Sequence, residues 1–239
     1  MEKDINSMKI KAAIFDYDGT VMDSMGMWSQ ASSNYVRTVL GKEPAPDLDY
    51  IIKTMSLEEG AKIFRDEYGA PGTDDEIVQA VLETVTDQYR KTLQLKPGVL
   101  DVLDDLKAHG VRMCVATASA REMIEAGNER LGLNKYFEKV FTCMEIGANK
   151  RKPDIYNEAA KYFGTTPSET LVFEDVLHAS ETASAAGYQL IGIYDDSSAD
   201  DSEQIRPLCR LFLDTYDQWP GIELLEEQEA AADDAESGK

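Results

Sequence analysis

The feature that most constrains the fold is the alternation of short apolar runs with amphipathic stretches from residue 99 to residue 213. Three of the amphipathic stretches stop at a glycine, at Gly132, Gly164 and Gly187, and glycine is common directly after the last turn of a helix. Strands that alternate with helices form parallel sheets whose faces the helices cover. The chain is therefore predicted to adopt an α/β fold, a doubly wound parallel sheet. The predicted strands are Ala12–Phe15, Val111–Ala116, Val140–Cys143, Leu171–Phe173, Gln189–Tyr194 and Leu211–Leu213, and the predicted helices are Val99–Ala108, Ala120–Leu131, Asp154–Phe163 and His178–Ala186.

A second pattern interrupts this alternation shortly after the first predicted strand. Over residues 25–93 the apolar residues recur at helical spacing, and turn-forming segments at 41–46 and 69–73 leave room for about four helices. We therefore predict an all-helical cap domain over 25–93. It is inserted into a discontinuous core domain made of residues 1–24 and 94–222.

The charge of the chain argues against several classes of partner. Its 239 residues carry a formal net charge of −21, whereas nucleic acids and anionic membranes bind basic surfaces. Seven acidic residues against one lysine lie in 223–239, which we predict to be a disordered tail. No run of about 18 apolar residues occurs, and Met1–Lys11 lacks the apolar stretch of a signal peptide. We expect a cytoplasmic monomer that binds neither nucleic acid nor membrane.

Polar residues follow four of the predicted strands, where each strand ends. The carboxyl ends of parallel strands meet at one edge of the sheet, which is where such folds bind ligands. Several carboxylates brought together there repel one another unless a cation lies between them. Oxygen ligands without histidine or cysteine are typical of Mg²⁺ rather than zinc. The residues in question are Asp16, Asp18, Thr117, Ser119, Lys150, Glu174 and Asp175.

In type and order these residues resemble the motifs of the haloacid dehalogenase superfamily. Those motifs are D-x-D-G-[TV], then an apolar residue with Ser or Thr, then Lys, then an acidic pair. The resemblance spans about residues 11–214 and implies a Rossmann-like core with a helical cap. The matching residues here are Asp16-Tyr17-Asp18-Gly19-Thr20, Thr117, Lys150 and Glu174-Asp175.

The lysine motif leaves two candidates, because residues 149–154 read NKRKPD. In relatives with the form K-P-x-P-D-x-[FY] the lysine stands four residues before the aspartate. Counting back from Asp154 favours Lys150, with Arg151 at the position of the first proline. Lys152 remains the alternative.

The resemblance also implies the catalytic and metal-binding roles. Asp16 is expected to be the nucleophile that forms an aspartyl-phosphate. Asp18 is expected to protonate the leaving group and later to deprotonate the attacking water. Mg²⁺ would bind Asp16, the backbone carbonyl of Asp18 and Asp175, and Glu174 would bind it directly or through water.

The same resemblance implies how the phosphoryl group is bound. The Thr117 hydroxyl, the backbone amides of Asp18 and Ala118, and the Lys150 ammonium are expected to contact its oxygens. Gly19 permits the tight turn that brings the backbone close to the phosphate.

Three positions narrow the reaction within the superfamily. Dehalogenases carry tyrosine and phosphonate-cleaving members carry alanine where this chain has Asp18, so phosphate-ester chemistry is favoured. The cap resembles that of the β-phosphoglucomutase and sugar-phosphate phosphatase branch. Its mutases bind a second phosphate with a cap His and Arg, whose positions look like Trp28 and Leu57 here. Trp28 either lines a substrate pocket or anchors the core.

We therefore predict a Mg²⁺-dependent phosphatase that acts on a small phosphorylated metabolite. Two alternatives stay open. One is a β-phosphoglucomutase-like phosphomutase, and the other is a non-catalytic regulatory protein that keeps the fold.

Overall fold

The computed structural model describes residues 10–53 and 55–227, and it confirms the α/β fold with a parallel sheet. Six of the strands form one sheet in the order β5-β4-β1-β6-β7-β8, and every neighbouring pair is parallel. The first strand is therefore central, as its continuous apolar run predicts. In chain order the strands are β1 (Ala12–Phe15), β2 (Met22–Asp23), β3 (Gln94–Leu95), β4 (Arg112–Thr117), β5 (Phe137–Thr142), β6 (Thr170–Glu174), β7 (Gln189–Ile193) and β8 (Leu211–Leu213).

Helices pack on both faces of this sheet. Successive strand residues point to opposite faces, so Phe15 belongs to one apolar cluster and Ile14 to another. The first cluster joins the sheet to α6 and α7, and the second joins it to α9 and α10. The helices are α1 (Met25–Trp28), α2 (Ala31–Thr38), α3 (Leu48–Lys53), α4 (Leu57–Tyr68), α5 (Asp74–Lys91), α6 (Val99–Ala108), α7 (Arg121–Leu131), α8 (Cys143–Ile146), α9 (Asp154–Phe163), α10 (Leu177–Ala185) and α11 (Ser202–Ile205).

The end of β5 corrects one predicted boundary. The strand ends at Thr142, and Cys143 begins α8 instead of closing the strand. The Thr142 hydroxyl accepts a hydrogen bond from the Glu145 amide (3.2 Å), which caps this helix at its start. Gly147 ends it in the left-handed conformation, at φ 72°. Both signals lie in the sequence but are spaced for one helical turn only.

The segment from residue 25 to residue 91 contains α1–α5, one helix more than the four expected, because α1 is a single turn. It has an apolar cluster of its own, which includes Tyr35, Phe64 and Ile77. Helices α4 and α5 both begin with a capping box, in which the side chains of an N-cap residue and a glutamate bind each other's backbone amides. The division into core and cap stays a prediction, and the separate cluster supports it.

The two connections between this segment and the sheet run side by side. Strand β2 pairs antiparallel with β3, with Met22 opposite Leu95 and Asp23 opposite Gln94. These strands form a two-stranded ribbon that the sequence did not predict, since each has only two residues. The chain therefore leaves and rejoins the core at neighbouring points.

The disordered tail was predicted to begin at residue 223, which is too early in the chain, because residues 223–227 are part of a helix. Residues 222–227 are helical, Leu225 is buried, and the Glu226 carboxylate accepts a hydrogen bond from the Ile10 amide (2.7 Å). The remainder, 228–239, lies outside the described residues, as does Thr54. Among the described residues, no helix combines the length and the apolar character needed to cross a bilayer.

Candidate active site

Asp16 lies directly after the central strand β1, where the sheet edge collects residues from both neighbouring strands. Its amide donates to the Phe173 carbonyl of β6 (2.9 Å), which extends the strand pairing to the position of the predicted nucleophile. The side chain is nearly buried. A carboxylate in such a place needs positive partners nearby.

Lys150 is one such partner. Its ammonium is only 6% exposed and donates to Asp16 Oδ1 (2.5 Å) and Glu174 Oε1 (2.6 Å). Lys152, the other lysine of the segment, is exposed. Of the two candidates, the structure therefore brings Lys150 to the predicted site.

The predicted acidic pair, Glu174 and Asp175, completes the group of charged residues at this edge of the sheet. Glu174 is the last residue of β6, and Glu174 Oε1 also accepts a hydrogen bond from the Tyr156 hydroxyl (2.7 Å). Asp175 Oδ1 accepts one from the Thr20 hydroxyl (3.2 Å). Both carboxylates are fully buried. Each is thus oriented by a hydroxyl group on one oxygen.

The other oxygen of each carboxylate has no partner among the residues that the structure describes. Glu174 Oε2 and Asp175 Oδ2 are buried and accept no hydrogen bond from residues 10–53 or 55–227, which costs free energy unless another group compensates. One carboxylate oxygen from each of Asp16, Glu174 and Asp175 lies within 4.8 Å of the others. With Lys150, these three groups carry a formal charge of −2 when ionised. A divalent cation bound by oxygen ligands fits both the charge and the two orphaned atoms.

The pKa values in this cluster reflect the same excess of buried negative charge. Burial, followed by the neighbouring carboxylates, raises the pKa of Asp16 to about 7 although Lys150 opposes the shift. Burial also raises the pKa of Asp175 well above its ordinary range. For Lys150, burial lowers the pKa, but the carboxylates of Asp16 and Glu174 outweigh it and keep the ammonium charged.

These pKa shifts predict a pH-dependent effect of Mg²⁺ on stability. Without metal, the free energy of unfolding should fall as pH rises from about 4 to about 7, because Asp16 titrates near 3.8 when unfolded and near 7 when folded. A divalent cation held by these carboxylates would stabilise their ionised form, and protons would compete with it at lower pH. We expect Mg²⁺ to raise the melting temperature more at about pH 8 than at about pH 5.5. An equal rise at both values, in scans against EDTA-treated protein, would contradict this.

Gly19 makes the turn after Asp18, at φ +82°. A Cβ atom at this position would lie 2.9 Å from Asp175 Cγ and 3.1 Å from Met25 Cγ. The glycine is therefore required twice, by its left-handed conformation and by the close approach of the Asp175 carboxylate. This contact joins the turn after β1 to the acidic pair.

The Asp18 carboxylate lies apart from the three-carboxylate cluster and is bound by three hydroxyl groups. Ser24 donates to Oδ1 (2.6 Å), Tyr89 also donates to Oδ1, and Ser119 donates to Oδ2 (2.6 Å). These donors come from the turn after β2, from α5 and from the loop after β4. The Asp18 side chain is thus not a member of the three-carboxylate cluster. The sequence analysis predicts that the metal binds the backbone carbonyl of Asp18 and not its carboxylate, and this stays a prediction.

Two of the predicted phosphate-binding residues, Thr117 and Ala118, lie at the end of β4, where Thr117 is the last residue of the strand. The Thr117 hydroxyl is buried and accepts a hydrogen bond from the Ser119 amide (3.0 Å), and Ala118 between them is exposed. Because β4 pairs with β1, this loop lies beside the turn that carries Asp16 and Asp18. Helix α7 begins shortly after it, at Arg121, and helix N-termini favour anions.

Several residues at this edge were not assigned a role from the sequence. Thr20 and Tyr156 had a signal, since they occupy the last positions of the D-x-D-G-[TV] and D-x-[FY] patterns. Tyr89 had none, because it is far from any motif in the chain. The indole of Trp28 donates to the Tyr89 hydroxyl (2.9 Å), so Trp28 packs at this site. The side chain of Leu57, the other cap position considered, lies outside the described part.

Comparisons with known proteins identify one matching family and several similar proteins. Residues 13–193 match the family described as haloacid dehalogenase-like hydrolase. A phosphorylated carbohydrates phosphatase from Thermotoga maritima is 26% identical over 182 residues, which cover 76% of this chain and 84% of that protein. A fructose-1-phosphate phosphatase from Escherichia coli is 30% identical over 188 residues, covering 75% and 94%. A crystal structure of a candidate β-phosphoglucomutase from Thermotoga maritima superposes with a TM-score of 0.76 at 23% identity, over 91% of this chain and 99% of that one.

Proposed function

Because this chain belongs to the haloacid dehalogenase-like hydrolase family, we propose that it is a Mg²⁺-dependent phosphatase that hydrolyses a small phosphorylated metabolite through an aspartyl-phosphate on Asp16. The observation that carries the proposal is the convergence of four chain segments at one sheet edge. They bring together a nucleophilic carboxylate, a buried lysine, two carboxylates with orphaned oxygens and a separate hydrogen-bonded Asp18.

The first step is attack of an Asp16 carboxylate oxygen on the phosphorus atom. Asp16 already contacts Lys150, whose charge reduces the repulsion between a carboxylate and a phosphate dianion. When bound, Mg²⁺ supplies further positive charge at Asp16, Glu174 and Asp175 for the same purpose. The Thr117 hydroxyl and the backbone at Asp18 and Ala118 would contact the other phosphoryl oxygens.

Asp18 transfers the protons, first to the leaving group and then from the attacking water. As the bond from phosphorus to the ester oxygen breaks, Asp18 in its protonated form gives its proton to the departing alkoxide. The resulting carboxylate then takes a proton from water, whose oxygen attacks the aspartyl-phosphate. This returns Asp16 as a free carboxylate and releases inorganic phosphate. The separation of Asp18 from the cluster of Asp16, Glu174 and Asp175 supports this division of roles.

The names of the relatives support a substrate class, which a panel of phosphate esters can test directly. Curated relatives are named phosphatases of phosphorylated carbohydrates and of fructose 1-phosphate, so sugar phosphates are the first candidates. The purified protein should be incubated with sugar phosphates, polyol phosphates and nucleotides, with Mg²⁺ and with EDTA. We expect Mg²⁺-dependent release of inorganic phosphate from one or more sugar phosphates. Isomerisation without phosphate release, in the presence of a sugar bisphosphate, would instead identify a phosphomutase.

A further inference from the structure

The hydrogen bonds to Asp18 are divided unequally between its two oxygens. Oδ1 receives two donors, the hydroxyls of Ser24 and Tyr89, whereas the hydroxyl of Ser119 is the one described donor to Oδ2. A carboxylate oxygen has two lone pairs, and the Ser24 and Tyr89 hydroxyl groups occupy both of those on Oδ1. When Asp18 carries a proton, Oδ2 is therefore the oxygen that bears it.

The direction of the Tyr89 hydrogen bond is fixed by Trp28. An indole nitrogen can only donate, so the contact from Trp28 Nε1 places its hydrogen against the Tyr89 hydroxyl oxygen (2.9 Å). The hydroxyl hydrogen of Tyr89 is then left for Asp18 Oδ1. Burial, together with the charge of Asp18, raises the pKa of Tyr89, which keeps this hydrogen in place.

Tyr89 is itself rigidly placed. The side chain is fully buried, and its ring stacks on that of Tyr17 with centroids 6.4 Å apart. Its backbone carbonyl accepts a hydrogen bond from Arg130 Nε of α7 (2.8 Å), which ties the last turn of α5 to the core. A hydroxyl anchored in this way can hold a carboxylate in one orientation.

We infer that Tyr89 is a positioning residue, which with Trp28 orients the Asp18 carboxyl group so that Oδ2 presents the proton to the leaving group. The inference rests on the proposed function, because it refines the step in which Asp18 acts as the acid. It assigns a role in the reaction to the two ends of the inserted segment, since Trp28 lies in α1 and Tyr89 in α5.

The test compares two substrates of almost equal size, phenyl phosphate and p-nitrophenyl phosphate. Phenolate needs a proton to leave, whereas p-nitrophenolate leaves readily without one, so only the first depends strongly on a placed acid. For Tyr89→Phe we expect kcat/KM with phenyl phosphate to fall roughly tenfold, with a fall of less than about threefold for p-nitrophenyl phosphate. Trp28→Phe, which keeps an aromatic ring but removes the N–H donor, should show the same contrast to a smaller extent.

Tyr188→Phe is the matched control. Tyr188 is also buried, and its hydroxyl donates to Asn157 away from the site (2.9 Å), so its loss should affect both substrates equally and little. Equal losses for both substrates in Tyr89→Phe, or no loss, would overturn the positioning role while leaving the phosphatase proposal intact. Absence of turnover of either aryl phosphate and of every sugar phosphate by the wild type would overturn both. Melting temperatures of all variants separate these outcomes from misfolding.

Discussion

Asp16→Asn is expected to abolish phosphate release, with a loss of at least about 10⁴-fold in kcat. The amide has the shape of the carboxylate but is a very poor nucleophile, so no aspartyl-phosphate can form. Folding should survive the change. Lys150 keeps its ion pair with Glu174, and the substitution removes one of three buried carboxylates that repel each other. The measurement is phosphate release with the best substrate of the panel, in Mg²⁺.

Two further measurements serve as controls for this prediction, one of protein stability and one of the phosphorylated intermediate. The melting temperature of Asp16→Asn in EDTA should equal or exceed that of the wild type at about pH 8, where the wild-type carboxylate is charged without a metal. Mass spectrometry of the wild type, quenched in acid during turnover, should find a phosphoryl group on the peptide that contains Asp16. Turnover close to that of the wild type by Asp16→Asn would exclude the proposed mechanism.

Lys150→Met is expected to damage both stability and catalysis. It leaves Asp16 and Glu174 as neighbouring buried carboxylates without their counter-charge, and removing one partner of such an ion pair costs about 3 kcal/mol or more. The loss should be measured as the free energy of unfolding in urea, with EDTA present. In Mg²⁺ the variant should also lose about 10³-fold in kcat/KM, because the ammonium no longer offsets the charge of the attacking carboxylate.

The chain contains the control for this variant two residues away. Lys152 lies in the same loop but is exposed, so Lys152→Met should change the free energy of unfolding by less than about 0.5 kcal/mol and should leave kcat/KM unaffected. The opposite result, in which Lys152→Met loses stability and activity and Lys150→Met loses neither, would identify Lys152 as the site lysine.

The core was predictable because its signals are local. Continuous apolar runs such as that of β1 indicate buried parallel strands, and glycine directly after a helix, as at Gly132 and Gly164, adopts the left-handed conformation that ends it. The proximity of the predicted site residues was predictable for a related reason. A parallel sheet brings its strand ends together. The strand pattern alone therefore predicts that residues far apart in the chain, such as Asp16 and Asp175, lie close together.

What could not be predicted depends on packing across the inserted segment. Tyr89 lies 71 residues from Asp18, and its helical pattern is that of any tyrosine facing a core. Only the docking of α5 on α7 reveals which group its hydroxyl meets. The short helix α8 and the helical residues 223–227 were missed for another reason. One or two turns carry too little periodicity to be distinguished from a strand end or a tail.

The two-stranded ribbon of β2 and β3 has a consequence for how such a protein diversifies. Because the chain leaves and returns through hydrogen-bonded neighbours, the ends of any inserted segment are already joined, and loop closure adds little to the cost of a longer or shorter one. Insertions and deletions in residues 25–91 can therefore accumulate without moving β1 or the residues after it. Selection can alter what is recognised above the sheet while the groups that cleave the ester remain where they are.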